Sequence, residues 1–216
     1  MDQVKEWSKI DPERTRYPHA MASGVPQPPH PSKVPGLMAA AERGPRVFLR
    51  LPTGGDRDQF LKLRDASREW LMPWEPLNPS GEPPFDDEAF DRFHKTSETE
   101  LSRRFLICLL DSGAIVGQIS LNNILRGALQ SCAIGYWIGA AYAGKGLMTE
   151  ALEAATRYAF ITLGLHRVEA NIIPRNAPSI ALVKKLGFRF EGTALRYLKI
   201  AGEWQDHERW AKTVED

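Results

Sequence analysis

Long apolar runs and an excess of charge of either sign are missing from this chain of 216 residues. No stretch of about 18 consecutive apolar residues is present, so the sequence predicts no helix that spans a membrane. The amino-terminal residues lack the charged and then apolar segments of a signal peptide, and we expect a cytoplasmic protein. Lys and Arg number 28 against 27 Asp and Glu, and the net charge of +1 indicates binding neither to nucleic acid nor to an anionic membrane.

Cysteine is scarce, since Cys108 and Cys132 are the two in the chain. Each lies in an apolar run, FLICLL and SCAIGYW, and neither belongs to a CxxC motif that would indicate zinc or a redox pair. A free cysteine among apolar residues behaves as a small hydrophobic side chain. We therefore expect two buried free thiols and no metal.

Proline is concentrated at the amino terminus, where residues 1–45 hold eight of the 16 prolines. Proline lacks an N–H group and restricts the residue before it to extended conformations. The sequence therefore predicts a proline-rich arm over residues 1–45, extended or partly disordered. Such an arm is either a dispensable tail or a segment that packs on the body of the protein or on a partner.

The remaining residues, 46–216, have the length and the apolar content of one domain. The helices are indicated by apolar residues at helical spacing, with acidic residues near the start and glycine near the end. The strands are indicated by runs of β-branched, aromatic and other apolar residues between turn residues. We place the helices at residues 54–71, 85–101, 147–164 and 176–187. We place the strands at residues 46–52, 103–111, 114–125, 131–139, 166–173, 188–200 and 203–212.

The stretch GAAYAGKG, residues 139–146, nearly matches the phosphate-binding loop of nucleotide hydrolases. Gly146 stands where that loop requires the Ser or Thr that holds magnesium. Strands joined by tight turns precede the stretch, whereas the nucleotide loop follows an early strand of a mostly parallel sheet. The sequence therefore argues against a nucleotide hydrolase.

The same stretch nevertheless predicts an anion site. Gly144 and Gly146 flank Lys145 where a strand leads into a helix, and glycines let backbone N–H groups approach a ligand closely. The first turn of the helix offers unpaired N–H groups and a partial positive charge. Together these features suit a pyrophosphate, with Lys145 either adding charge at the rim or facing solvent.

Several motifs here resemble the GNAT superfamily of N-acetyltransferases, and most closely its RimJ/RimL branch of ribosomal-protein N-terminal acetyltransferases. They are GYWIG, GKGLMTEAL, NAPS followed by KKLGF, and RYLKIAGEWQDH, all within residues 135–207. The resemblance covers roughly residues 46–216 and implies an acetyltransferase domain there. It implies an α+β fold, with a mixed, mostly antiparallel sheet flanked by helices and splayed strands that hold acetyl-CoA.

The resemblance also implies which residues bind acetyl-CoA. The backbone amides of the loop would bind its pyrophosphate, and the edge of the strand before the loop would bind its pantetheine and polarise the thioester. The Asn176 side chain would reach the cofactor, or cap the following helix, and the Ser179 hydroxyl would lie near the sulfur. The full implied set is Tyr136, Trp137, Ile138, Gly144, Lys145, Gly146, Leu147, Asn176 and Ser179.

The chain departs from the family pattern at positions that bear on the chemistry. Ala141 stands where the family loop usually begins with Arg or Gln, which removes a side-chain contact but no backbone contact. One branch of the superfamily has a catalytic glutamate and tyrosine where this chain has Asn171 and Val183. Arg196 replaces the acidic residue expected just before Tyr197. The acid–base pairs of related enzymes are therefore absent or incomplete.

Acetyl transfer from a thioester to an amine needs a neutral amine and a proton for the departing thiolate. Ser179 is the predicted proton donor, and Tyr197 is a second candidate. Glu169 is the predicted base, with His207 beside Asp206 as an alternative. Each of these residues also has an ordinary structural interpretation within a sheet. The identity of the base stays open, and a site without a strong base is a further alternative.

The acceptor site is predicted between the segment REWLMPWEPLNP and the turn after residue 198. Trp70, Trp74 and Trp204 are candidates for lining a peptide groove, with core packing as the alternative for each. Glu75 is a candidate for attracting a cationic amine.

The favoured function is acetyl transfer to the N-terminal α-amine of a protein, such as a ribosomal protein, by direct attack on the thioester. An α-amine has a pKa of about 7.7–8.0 and a lysine about 10.4, so a site without a strong base suits the α-amine better. The alternatives are a small-molecule amine or antibiotic acetyltransferase and a non-catalytic acetyl-CoA-binding module. We expect a monomer or a homodimer.

Overall fold

The computed structural model describes residues 34–77 and 87–216, and none of the helices in these residues is long and apolar enough to cross a bilayer. The strands are β1 (Glu42–Arg43), β2 (Val47–Arg50), β3 (Glu98–Thr99), β4 (Ser102–Leu109), β5 (Ile115–Leu125), β6 (Ser131–Ile138), β7 (Arg167–Ile172), β8 (Arg189–Ile200) and β9 (Glu203–Thr213). The helices are α1 (Arg57–Ala66), α2 (Arg68–Leu71), α3 (Asp87–Lys95), α4 (Leu147–Arg157), which a π-helical turn (Tyr158–Thr162) extends, and α5 (Ala177–Lys185).

One sheet contains the strands of the described residues, in the order β1-β2-β4-β5-β6-β7-β9-β8 with β3 beside β4. The pairings are antiparallel except for that between β6 and β7. The parallel pairing runs only from Ser131 with Arg167 to Ala133 with Glu169. Beyond Ala133 the two strands separate, and β6 continues to Ile138 beside β5 alone. The predicted mixed, mostly antiparallel sheet with splayed strands is confirmed.

Helices cover both faces of the sheet. On one side, which we call the α4 face, Ala151, Leu152 and Ala155 of α4 are fully buried. The small side chains of Ala151 and Ala155 let this helix lie close to the strands. On the opposite side, the α1 face, helices α1 and α3 pack through Phe60 and Phe90, whose ring centroids are 5.4 Å apart. Because strand side chains alternate between the two sides, the same strands supply both cores.

The longer elements predicted from the sequence are present, with one correction. The second predicted helix does not continue to residue 101, since α3 ends at Lys95 and β3 begins at Glu98. The Thr96 hydroxyl donates to the Arg92 carbonyl and the Ser97 hydroxyl to the His94 carbonyl. These side chains satisfy the last carbonyls of the helix and end it. The start of that predicted helix, residues 85–86, lies outside the described residues.

The fold begins before residue 46. Val34 and Leu37 are buried in the core of the α1 face, and β1 pairs with β2. Glu42 on β1 accepts hydrogen bonds of 2.7 and 3.1 Å from the guanidinium of Arg157 on α4. Residues 34–45, the end of the predicted arm, are therefore packed on the body. The rest of that arm, residues 1–33, lies outside the described residues.

The two cysteines are buried and free, as predicted. Burial raises the pKa of the Cys108 thiol to about 11 and that of the Cys132 thiol to about 12. Both thiols are therefore protonated at neutral pH and are poor nucleophiles.

Candidate active site

A cleft opens where β6 and β7 separate, with a volume of about 1090 Å³. The end of β6 and the first turns of α4 and α5 form one part of its wall, and α1 and the segment after it form another. A volume of this size is at the upper end for a ligand pocket. The cleft therefore has room for a long ligand and a second molecule that reacts with it.

The predicted anion loop lies at one end of this cleft. Gly144 and Gly146 have φ angles of 71° and 79°, which residues with a side chain rarely adopt. Gly146 is the N-cap of α4. A Cβ at Gly144 would meet nothing within 4 Å, so the loop backbone is open to a ligand. The Leu147 N–H belongs to the first turn of α4, where backbone donors lack helical partners. The Lys145 ammonium lies 5.8 Å from the centre of the Tyr142 ring, at the rim.

An ion pair that the sequence did not reveal holds this loop. Glu150, in the first turn of α4, accepts hydrogen bonds of 2.7 Å from the backbone N–H of Arg46 and of 2.6 Å from its side-chain Nε. The Arg46 guanidinium comes within 3.1 Å of the position that a Cβ on Gly146 would take. The residue before β2 is therefore tied to the first turn of α4, and the Arg46 guanidinium lies beside the loop as part of an ion pair.

The backbone of β6 faces the cleft at two of the three predicted positions, Tyr136 and Ile138, whereas the Trp137 N–H points to β5. The Gly139 N–H donates to the Val116 carbonyl of β5 over 2.9 Å. N–H groups alternate in direction along a strand, so those of Tyr136 and Ile138 point away from β5 and into the cleft. The Trp137 side chain projects to the α1 face, where its indole N–H donates to Gln118 over 3.2 Å.

Two hydroxyl groups meet at the first turn of α5. The Tyr136 and Ser179 hydroxyls share a hydrogen bond of 2.7 Å, and Asn176 caps the helix by accepting the Ser179 N–H over 3.3 Å. Burial raises the pKa of the Tyr136 hydroxyl to about 12, so it stays protonated at neutral pH. From the sequence, only a backbone contact is predicted for Tyr136. The structure adds its hydroxyl as a partner of Ser179.

Substitution of Asn176 separates its two expected roles. Asn176→Asp keeps an oxygen that caps α5, so stability should be retained, but it removes the amide donor that a bound cofactor would use. Asn176→Ala removes both, and we expect it to lower the free energy of unfolding by about 1 kcal/mol, the usual value of an N-cap. Chemical denaturation together with calorimetric titration of acetyl-CoA measures the two effects. Equal affinity in wild type and both variants would leave Asn176 with the cap alone.

The acceptor candidates divide between two places. Trp70, Trp74 and Glu75 line the cleft, whereas Trp204 lies in a neighbouring pocket of about 350 Å³ and is 63% exposed. The Glu75 carboxylate accepts a hydrogen bond of 2.8 Å from the buried Arg64 guanidinium. Glu75 is therefore already neutralised, and its predicted role as an attractant for a cationic amine loses support.

The candidate bases are also separated. The Glu169 carboxylate accepts hydrogen bonds from Arg167 over 2.7 Å and from Arg209 over 3.3 Å, and it is not part of the cleft lining. This geometry favours a structural role for Glu169. Tyr197 is half exposed on β8, with its ring centre 5.8 Å from that of His207. His207 is buried and lines the cleft.

Within residues 34–77 and 87–216, no group of three His, Cys, Asp or Glu side chains lies close enough together to hold a metal ion. Among the described residues, the polar groups that line the cleft are backbone amides, hydroxyls, side-chain amides, cations, one imidazole and one paired carboxylate. This set suits recognition of an anionic ligand and transfer of protons.

This chain is similar to proteins of a known family. Residues 46–189 match the model of the acetyltransferase (GNAT) domain. The chain is 35% identical to the ribosomal protein uS5-alanine N-acetyltransferase of Escherichia coli, over 86% of this chain and 95% of that protein. It is 28% identical to the E. coli spermidine N(1)-acetyltransferase, over 68% of this chain and 82% of that one.

Solved structures agree with the sequence comparison. Mycobacterium smegmatis RimJ, in complex with CoA-disulfide, superposes with a TM-score of 0.68 at 33% identity, over 78% of this chain and 82% of that one. The match to the family covers the region that contains the loop, the splayed strands and the Tyr136–Ser179 pair. The chain therefore belongs to the GNAT family of acetyltransferases.

Proposed function

We propose that this enzyme transfers the acetyl group of acetyl-CoA to the N-terminal α-amine of a protein. The donor half of this proposal rests on the loop at Gly144–Gly146. Its open backbone and the N-terminus of α4 suit a pyrophosphate, and Lys145 adds positive charge at the rim. The inward N–H groups of β6 would bind the pantetheine amides, and that of Ile138 would polarise the acetyl carbonyl.

The departing sulfur needs a proton, and the Tyr136–Ser179 pair can supply one. The two hydroxyls hold two protons and stand 2.7 Å apart at the wall of the cleft. If the Ser179 hydroxyl protonates the sulfur, the Tyr136 hydroxyl can stabilise the oxygen left behind by donating to it. Tyr197, on β8 and half exposed, would take no direct part in this step.

The charge of the cleft carries the proposal for the acceptor. Among the described residues of its lining, Glu75 is the one carboxylate, and it is paired with Arg64. A polyamine carries several positive charges and would need several unpaired carboxylates to bind tightly. A protein N-terminus carries a single positive charge at its reacting end, and the tryptophans at positions 70 and 74 can contact the residues that follow. The similarity to the E. coli uS5-alanine enzyme supports the same class of acceptor.

A polyamine acetyltransferase is the second candidate, because the chain also resembles the E. coli spermidine enzyme at 28% identity. The two candidates differ in a measurable preference. We expect kcat/KM for short peptides that begin with Ala, Ser or Thr to exceed that for spermidine by at least tenfold.

Release of free thiol from acetyl-CoA measures this preference, with the same peptides carrying a blocked N-terminus and an internal lysine as controls. Turnover of spermidine alone would replace the proposed acceptor by a small amine. Tight acetyl-CoA binding with no turnover of any amine would indicate a binding module.

A further inference from the structure

His207 lies on β9, lines the cleft and is only 2% exposed. Ile172 at the end of β7 pairs with Glu208, so His207 stands opposite Ile173, just beyond the ladder. The last parallel pair joins Ala133 of β6 to Glu169 of β7. Trp137 on β6 and Ile173 after β7 each lie four residues beyond that pair. His207 and Trp137 therefore lie at the same level of the sheet, on either side of the gap between the separated strands.

Strand alternation places the two side chains on the same side of the sheet. On β9, His207 points to the same side as Arg209, which pairs with Asn171. Asn171 points to the same side as Glu169. Glu169 pairs with Ala133 of β6, and Ala133 points to the same side as Trp137. This side is the α1 face, whereas the Tyr136–Ser179 pair lies by α5 on the α4 face. An acceptor and a departing sulfur would thus meet different groups on opposite sides of the splayed strands.

One hydrogen bond determines the tautomer of this ring. The His207 Nδ1 lies 3.0 Å from the Gln205 carbonyl oxygen, which can only accept. Nδ1 therefore carries the hydrogen, and in the neutral ring Nε2 has a free lone pair. No hydrogen bond from residues 34–77 or 87–216 reaches Nε2. The backbone thus holds the imidazole with its basic nitrogen available.

Other bases are missing from the described wall of the cleft. Glu75 is held by Arg64, and Glu169 lies outside the lining, where Arg167 and Arg209 hold it. The remaining charged lining residues are cations. Within residues 34–77 and 87–216, His207 is the lining side chain able to accept a proton at neutral pH.

We infer that His207 is the general base of this site, an inference that rests on the proposed acetyl transfer. Nε2 accepts a proton from the acceptor ammonium, which becomes a neutral amine. The amine nitrogen then bonds to the acetyl carbonyl carbon while the carbon–sulfur bond breaks, and its electron pair leaves with sulfur. Sulfur gains a proton from the hydroxyl pair, which regains one from solvent, and the nitrogen loses its second proton to solvent. His207 releases its own proton to solvent.

The environment of His207 suits an acceptor of moderate basicity. Burial is the main influence and lowers the pKa of the ring below 6.5, with Arg175 acting in the same direction and Asp206 and the Gln205 carbonyl opposing them. The Tyr197 ring contributes an edge contact. An ammonium with a pKa of about 7.7–8.0 can pass a proton to such a base far more readily than one of about 10.4. His207 therefore favours α-amines over lysine side chains.

The test compares His207→Asn with His166→Asn. Asn at 207 can still donate to the Gln205 carbonyl but has no basic nitrogen, and His166 is an exposed histidine that pairs with Glu215 away from the cleft. We expect His207→Asn to lower kcat at least 100-fold, the lower range for general base catalysis, with the dissociation constant of acetyl-CoA changed less than about twofold. His166→Asn should match wild type. Imidazole should partly restore His207→Ala.

The acid limb of the pH profile provides a readout that a structural role would not change. Wild-type kcat should fall with a midpoint below 6.5 as pH decreases, and His207→Asn should lose this limb. The assay uses whichever amine the wild type acetylates best, so failure of the α-amine proposal and failure of this inference are separate results. An unchanged kcat in a folded His207→Asn variant, or an unchanged acid limb, would overturn the inference. If the His207→Asn variant does not fold, the wild-type pH profile still tests the inference. A wild-type kcat that does not fall at low pH would overturn it.

Discussion

Gly146→Asp is expected to abolish acetyl-CoA binding, with at least a 100-fold increase in the dissociation constant. The substitution places a carboxylate at the N-cap of α4, where the loop is proposed to bind a pyrophosphate. Repulsion between the two anions replaces the attraction of the helix N-terminus. A 100-fold loss corresponds to about 2.7 kcal/mol of binding free energy.

The fold should survive this change. Asp tolerates a positive φ better than most residues, and the Arg46 guanidinium, 3.1 Å from where the new Cβ would lie, can pair with the added carboxylate. Gly127→Asp is the matched control, since Gly127 has a φ of 70° in a turn away from the cleft with nothing within 4 Å. Gly146→Asn separates bulk from charge and should lose less affinity. Calorimetric affinity equal to wild type in Gly146→Asp would remove the loop from the donor site.

The second large effect is expected at the hydroxyl pair. Ser179→Ala and Tyr136→Phe should each lower kcat about 100-fold, because each breaks the 2.7 Å hydrogen bond through which a proton would reach the sulfur. If the two hydroxyls act as one unit, the double variant should be little worse than either single variant. Acetyl-CoA affinity should change less than kcat.

Tyr158→Phe is a suitable control, because the Tyr158 ring packs edge-on against Phe105 in the core and not in the cleft. Losses in kcat that add fully in the double variant would mean that Ser179 and Tyr136 act separately. An unchanged kcat in Ser179→Ala would return that hydroxyl to a structural role at the start of α5.

Local patterns predicted the backbone conformation of the loop and the cap of α5. Gly144, Gly146 and Asn176 stand out in sequence because the conformations they adopt, positive φ and an N-cap, depend on neighbouring residues. The separation of β6 from β7 followed from the family resemblance and is confirmed by the three-pair register. These features need only information carried within about ten residues of the chain or within a known motif.

Long-range pairs were beyond sequence reasoning. Arg46 and Glu150 are 104 residues apart and Tyr136 and Ser179 are 43 apart, so no local spacing indicates that they meet. Contacts of this kind form only when the whole sheet is assembled. They determine which hydroxyls are linked and how the loop is held.

Two acidic residues show that residue type alone does not determine a role. Glu75 and Glu169 are candidates because carboxylates attract amines and accept protons, but arginines hold both. Arg167 is two residues from Glu169 and therefore on the same side of β7, so that pairing was available from strand periodicity. The Glu75 pairing was not, because it depends on the chain path after α2.

The most direct test of the proposed function uses one peptide that carries both a free N-terminal alanine and an internal lysine. Incubation with the enzyme and acetyl-CoA, followed by tandem mass spectrometry, shows which nitrogen receives the acetyl group. We expect acetylation at the α-amine and at least 100-fold less at the lysine, since about a thousandth of lysine side chains are neutral near pH 7. Acetylation of the lysine alone, or of spermidine but not the peptide, would contradict the proposed function.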